Sequence, residues 1–240
     1  LHMKNLYSYL NNTEKETWDG HIHLFNSSRK LPISTPYKKM VGFMDLEYNR
    51  KNLNVRKSYD NYIENDMPDN VILLATSTNI EDIRHIYEKH SKVIKGFGEL
   101  KCYDEYKGEK VPYKRSGFVR QVCKYSKQCG CLPVYVHWDI NDETDVKKIK
   151  GILETYPEVP LVLCHCGMSN KNQSYAFTQV CLLMQQHKNL WVDISYEAVI
   201  FFQGHIMLLN HLDWSRVILG SDINNKIFVN HKDEGERTTY

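Results

Sequence analysis

From the first predicted strand onward, the chain alternates short apolar runs with amphipathic stretches. Eight apolar runs read as strands: 18–25, 40–46, 71–77, 93–100, 133–138, 161–166, 190–195 and 217–223. They are short, rich in Val, Ile and Leu, and bounded by turn or polar residues, as strands buried on both faces are. Helical spacing fills most of the gaps. Residues 80–90 set Ile80, Ile83, Ile86 and Tyr87 on one face. Residues 116–129 group Phe118, Val119, Val122 and Tyr125. Residues 142–156 open with acids at the positive helix end and carry Val146, Ile149, Ile152 and Leu153 at helical intervals. Residues 173–187 and 196–212 continue the alternation, and 56–66 is a weaker helical segment.

Strand–helix alternation with short connections requires parallel pairing. Eight such strands predict a (β/α)₈ barrel, an α/β architecture, as one domain over residues 1–240. The eighth helix is expected to be incomplete or atypical, because residues 232–239 are almost wholly polar. Residues 3–10 carry Leu6, Tyr7 and Leu10, so an N-terminal helix could cover that position. Leu1 and His2 read as a cloning remnant before Met3.

Composition narrows the class. Hydrophobic residues make up 42% and charged residues 25%, as in ordinary globular proteins. The net charge of +2, from 31 basic and 29 acidic residues, gives no basic surplus of the kind nucleic-acid binders carry. No apolar run approaches the ~20 residues of a membrane span, and no signal-peptide core is present. Seven cysteines form no small secreted framework, so reduced thiols and a cytoplasmic location are expected.

The chemistry concentrates at strand ends. Asp19-Gly20-His21-Ile22-His23-Leu24 lies on the first strand, where alternation points His21 and His23 the same way. Glu99, His137, His165 and Asp222 each follow four or more strand residues on the fourth, fifth, sixth and eighth strands. Each therefore sits near a strand's C-terminal end, the face on which barrel enzymes build their sites. Convergence of six ligand-type residues there predicts a metal centre.

HxH on strand one, His on strands five and six and Asp on strand eight resemble the amidohydrolase superfamily of metal-dependent barrels. Asp19–Leu24, Val136–Asp139, Cys164–Gly167 and Gly220–Asp222 carry the likeness. The resemblance implies that His21, His23 and Asp222 bind a divalent metal. In one-metal members His137 would be a further ligand, and His165 would act on the substrate or polarise the attacking water. In two-metal members a strand-four carboxylate, here Glu99, would bridge the ions, with His137 and His165 on the second. Gly98-Glu99 also resembles a step in TatD-like nucleases. The alternative for Glu99 is an ion pair with Lys95 or Lys101.

Imidazole and carboxylate ligands suit Zn²⁺, and also Mn²⁺, Fe²⁺ or Ni²⁺. Asp222 would take a proton from the attacking water and return it to the leaving group. Cys129-Gly130-Cys131 and Cys164-His165-Cys166 offer weaker ligand spacing. Alternation turns Cys164 and Cys166 away from His165, toward the helices, as packing residues.

Lys101, Tyr103, Trp138, Tyr196 and Asn224 follow or end strands at the same mouth and are candidate substrate contacts. The loops 26–39 and 103–115 are long and basic, which favours an anionic substrate or simply a solvated face. The expected activity is hydrolysis of a C–O or C–N bond (amide, ester or lactone) in a small molecule. Decarboxylation by the same kind of centre, a TatD-like nuclease and a non-catalytic ligand-binding barrel are the alternatives. The expected partners are a small-molecule substrate and, given the short last unit, a second copy in a homo-oligomer; a membrane is not among them.

Overall fold

The computed structural model describes residues 18–24, 39–44, 54–102, 105–106, 109–110, 115–168, 172–195, 197–220 and 222–224. The expected N-terminal helix at 3–10, the loop at 26–38 and the polar stretch at 232–239 lie outside the described residues.

Strands β1 (Trp18–Leu24), β2 (Lys39–Met44), β3 (Val71–Ala75) and β4 (Ile94–Cys102) open the sheet. A short antiparallel hairpin, β5 (Glu105–Tyr106) with β6 (Glu109–Lys110), stands in the stretch expected to be only a loop. Then come β7 (Val134–Trp138), β8 (Leu161–Leu163), β9 (Leu190–Ile194), β10 (Val217–Leu219) and β11 (Ile223–Asn224). Apart from the hairpin, all pair in parallel, in the order β10-β9-β8-β7-β4-β3-β2-β1-β11. The eighth strand is thus split. β10 pairs with β9, and β11 pairs with β1 through Ile22 opposite Ile223. The eight strand positions form a nearly closed barrel with alternating helices, a (β/α)₈ fold.

The helices are α1 (Val55–Asn61), α2 (Ile80–His90), α3 (Arg115–Gln128), α4 (Glu143–Thr155), α5 (Gln173–Gln186) and α6 (Glu197–Gly204). Their ends follow local chemistry. The Asn79 side chain accepts the Glu81 N–H at the start of α2, with acids in the first turn and Lys89 and His90 in the last. Asp142 caps α4 by accepting from Thr144 N and Asp145 N. The stretch expected as one helix over 196–212 divides at His205 into α6 and a 3₁₀ segment, Ile206–His211. Likewise α1 passes into a π-helical turn, Tyr62–Asp66.

Strand alternation separates two apolar layers. Val41, Phe43, Leu74, Tyr135, Val162 and Ile218 form one cluster, which fills the barrel interior. Their strand neighbours, among them Leu73, Val134, Val136, Leu161 and Val192, pack outward with helix residues such as Ile83, Val122, Ile149 and Val180. Each buried aliphatic side chain contributes about 1.5–3 kcal/mol relative to exposure. Apolar side chains thus fill the barrel, and the polar groups collect at its C-terminal mouth. Among the described residues no helix is long and apolar enough to cross a membrane.

Candidate metal centre

His21 and His23 lie on β1 and turn to the same side, with their Nε2 atoms 3.4 Å apart. Both face one carboxylate oxygen, Asp222 Oδ1, at 3.2 Å from His21 and 2.9 Å from His23. Asp222 stands in the break between β10 and β11. Its N–H donates to the His21 carbonyl at 2.9 Å. The break needs Gly220, because a Cβ there would lie 2.5 Å from the His21 Cβ. Asp222 itself adopts the left-handed conformation (φ 56°), which Asp tolerates better than most residues.

Glu99 reaches the same point through an irregularity in β4. Phe97 pairs with Val134 and Leu100 with Val136, so two residues of β4 oppose Tyr135 alone. That extra residue turns Glu99 inward, as β-bulges re-aim side chains. Gly98 makes it possible: its φ is +120°, and a Cβ would meet the Tyr135 carbonyl oxygen at 2.3 Å. Glu99 Oε1 then lies 2.7 Å from His137 Nδ1 and 3.8 Å from His165 Nε2, while Oε2 lies 3.7 Å from His23 Nε2. The ion pair with Lys101 is also present, at 3.5 Å from Oε2; Lys95 instead donates to the Lys92 carbonyl.

His165 arrives differently from the expectation. β8 ends at Leu163, and residues 164–167 form a tight turn in which His165 has φ 53°. The turn carries His165 to the mouth and leaves Cys164 pointing into the interior beside His21 and Asp193. The sequence placed Cys164 toward the helices; only Cys166 packs there. Alternation fails at this point because the strand has already ended.

Two further residues belong to the site and escaped sequence reasoning. Asp193, in the middle of β9, is fully buried and lies 2.8 Å from His21 Nδ1. Its Oδ1 accepts the His165 N–H at 3.1 Å and the Ser195 hydroxyl. Ser195 Oγ lies 2.9 Å from His165 Nδ1. Asp139 adds an outer carboxylate, 3.5 Å from His137 Nε2. Of the expected substrate contacts, Lys101 stands at the mouth. Trp138 does not: it packs outward, its Nε1 donating to Asp145 of α4 at 3.0 Å. Its neighbour His137 faces in, so Trp138 must face out. Asn224 pairs with His23 across the β11–β1 contact, but its side chain, like Tyr103 and Tyr196, lies outside the described residues.

The electrostatics follow from crowding. Burial disfavours a charged His21, yet Asp193 and Asp222 hold its pKa well above the ordinary histidine value. Burial likewise opposes charge on His137, but Glu99 and Asp139 raise it to about 9. Glu99 resists burial through Lys101 and His137 and stays well below the usual carboxylate range, as Asp222 does beside His21 and His23. At ~4 Å and an effective dielectric of ~20, one such pair is worth about 4 kcal/mol before desolvation.

The donor set fits a divalent cation. His21, His23 and Asp222 bring ligand atoms within 4.8 Å of one another, and so do His21, Glu99 and His165. Among the described residues, Glu99 Oε2 is buried yet accepts no hydrogen bond. Imidazoles 3.4 Å apart, facing shared carboxylates, need a proton or a cation between them.

Comparison with known proteins bears on this arrangement of ligand-type residues at the mouth of a barrel. Residues 132–232 match the amidohydrolase family model. That stretch holds His137, His165, Asp193 and Asp222. His21, His23 and Glu99 lie outside the matched stretch, so their convergence on the same point is an independent observation. No curated protein matches the chain. Three solved structures share the fold. One is an amidohydrolase from Burkholderia multivorans with bound HEPES (10% identity, 87% of this chain and 84% of that one, TM-score 0.55). Another is a dihydroorotase from Campylobacter jejuni (16% identity, 86% and 69%, TM-score 0.52). The third is a candidate 2-pyrone-4,6-dicarboxylic acid hydrolase from Pseudomonas putida (12% identity, 92% and 90%, TM-score 0.52).

Proposed function

We propose that the protein is a cytoplasmic, zinc-dependent hydrolase that cleaves a C–O or C–N bond in a small anionic molecule. One observation carries the reading: two ligand triads at the barrel mouth, His21, His23 and Asp222 and then His21, Glu99 and His165, share His21. Glu99 lies near His23 on one side and His137 and His165 on the other, so it would be able to serve one cation or two held by these residues. A bound divalent cation would supply Lewis acidity and a water of lowered pKa.

The roles of the side chains follow from their exposure. The Asp222 side chain is 15% exposed, against 1% for Glu99 and 0% for Asp193. Of these three carboxylates Asp222 is the most accessible, and with Oδ1 beside both His21 and His23 it is placed to take a proton from incoming water and return it to the leaving group. His165, buried and facing Glu99 through Nε2, would serve as a ligand to the cation. Lys101, partly exposed beside Glu99, offers an ammonium to an anionic substrate group. The seven free thiols are in keeping with a reducing compartment.

Elemental analysis of protein purified after zinc supplementation tests the centre. Loading near one or two ions per chain is expected; a preformed site that holds less than ~0.1 sinks the reading. A screen of carboxylate-bearing lactones, esters and amides tests the reaction. Carbon dioxide release without bond hydrolysis would turn the assignment to a decarboxylase.

A further inference from the structure

We propose that Asp193 is a positioning residue that, with Ser195, fixes the tautomers of two histidines at once, so that His21 and His165 both present Nε2 lone pairs to the metal centre. The inference rests on the metal-centre reading.

A fully buried carboxylate is costly unless its oxygens accept hydrogen bonds, and those of Asp193 are fully engaged. An ionised carboxylate only accepts. At 2.8 Å from Asp193 Oδ2, His21 Nδ1 must therefore carry the proton, which leaves Nε2 to face Asp222 and His23. The same logic runs one residue further for His165. Ser195 has a single hydroxyl proton and donates it to Asp193 Oδ1. Its oxygen can then only accept from His165 Nδ1, 2.9 Å away. His165 Nδ1 is thus the protonated nitrogen, and Nε2 is left facing Glu99.

Asp193 Oδ1 also accepts the His165 backbone N–H. It thereby ties down a residue whose left-handed backbone has a steric cost. One side chain on β9 therefore orients ligands on β1 and on the turn after β8. The Nδ1 proton of each histidine is held whether or not a cation sits at Nε2, so the device is built before loading. Partners of this kind change metal affinity by about 10–100-fold when removed.

Two readouts test it. The first is the nitrogen-15 chemical shifts and long-range couplings of the histidine rings in metal-free protein, which assign the proton to Nδ1 or Nε2. The second is Zn²⁺ affinity by competition with a chromogenic chelator, alongside the visible spectrum of Co²⁺-loaded protein. Wild type is expected to show Nδ1–H on both His21 and His165. Asp193→Asn, whose amide can donate to Nδ1, is expected to weaken Zn²⁺ binding about 10–100-fold and to shift the Co²⁺ bands. Ser195→Ala is expected to release His165 alone, and Ser195→Thr to restore it.

Should Asp193→Asn fail to fold, the Ser195 pair still decides the matter, since the carboxylate stays in place. Unchanged Zn²⁺ affinity, Co²⁺ spectrum and His165 ring signals in Ser195→Ala overturn the inference. Nδ1–H signals in a wild type that binds no zinc would sink the metal centre while leaving tautomer control standing. Tight zinc binding with Nε2–H rings in the metal-free protein would do the reverse.

Discussion

Two places in this barrel bury charge, and they do so in opposite ways. Near the N-terminal end of β10, Arg216 is buried with all its donors engaged. Nε and Nη2 reach Asp213 Oδ2 at 3.0 and 2.9 Å, Nη1 donates to the His187 and Leu190 carbonyls, and Nη2 also donates to Met184 O. One cation meets one acid, the Met184 and His187 carbonyls at the end of α5 and the Leu190 carbonyl at the start of β9, so the arrangement is complete in itself. At the other end, carboxylates and imidazoles from several strands crowd together at the barrel mouth. Glu99 Oε2 accepts nothing among the described residues, and two imidazole nitrogens point at a single Asp222 oxygen. A satisfied buried charge holds a fold together. A buried cluster of imidazoles and carboxylates gathered at one mouth is suited instead to hold a cation.

Variants can break that contrast from either side. The largest effect is expected from Asp222→Asn. Asn adopts the left-handed backbone readily and keeps the N–H to His21, so the barrel should retain its circular dichroism and urea midpoint. Turnover of a substrate found by screening should fall about 10³-fold. Full activity would remove Asp222 as proton carrier.

Arg216→Ala reverses the pattern. It should cost about 3–5 kcal/mol in urea denaturation, because Asp213 and three carbonyls lose their donors, while Zn²⁺ affinity per folded molecule stays the same. A loss of affinity without loss of stability would mean that the two regions are not separate. Metal removal gives the next effect. Zinc at 100 times its dissociation constant should stabilise the fold by about 2.7 kcal/mol, and excess EDTA should abolish the gain. His21→Ala should be indifferent to both.

The smallest effect concerns pH. Hydrogen bonds from Ser215, then Arg216, lower the Asp213 pKa. A depressed carboxylate contributes stability that is present above its unfolded pKa of about 3.9 and is lost as pH falls through the folded value. Asp213 is well exposed, so Asp213→Asn should cost less than ~1 kcal/mol at pH 7. The gap from wild type should close only in strongly acidic solution. A gap that widened on acidification would contradict the pairing.

The sequence made the barrel legible because its strands are buried on both faces and its helices on one. Period and turn residues therefore agreed along most of the chain. His21 and His23 were legible through simple alternation, and Asp222 through its place at a strand end. What escaped was whatever departs from regular strand geometry. Glu99 was named from its place at the end of its run, but the reason it faces inward, an extra residue in β4 before Leu100, was not legible. Cys164 was assigned outward because β8 was expected to run on to Cys166, whereas it ends at Leu163. Asp193 was missed because it sits inside the apolar run Leu190-Trp191-Val192-Asp193-Ile194 rather than after it. A lone acid in a strand buried throughout was the available signal, since such a group survives only with partners.

The split of the last strand has a consequence beyond geometry. Asp222 meets His21 where the first strand position of the barrel meets the last, through the backbone at 2.9 Å and through the side chains at 3.2 Å. The seam that closes the cylinder and the mouth that does chemistry are therefore one piece of structure. Whatever joins His21 to Asp222 works as a clasp across a loop of roughly 200 residues, and a clasp on so long a loop restrains the unfolded chain strongly. Ligand capture and ring closure become a single event, and the protein should be hardest to pry open when it is ready to work.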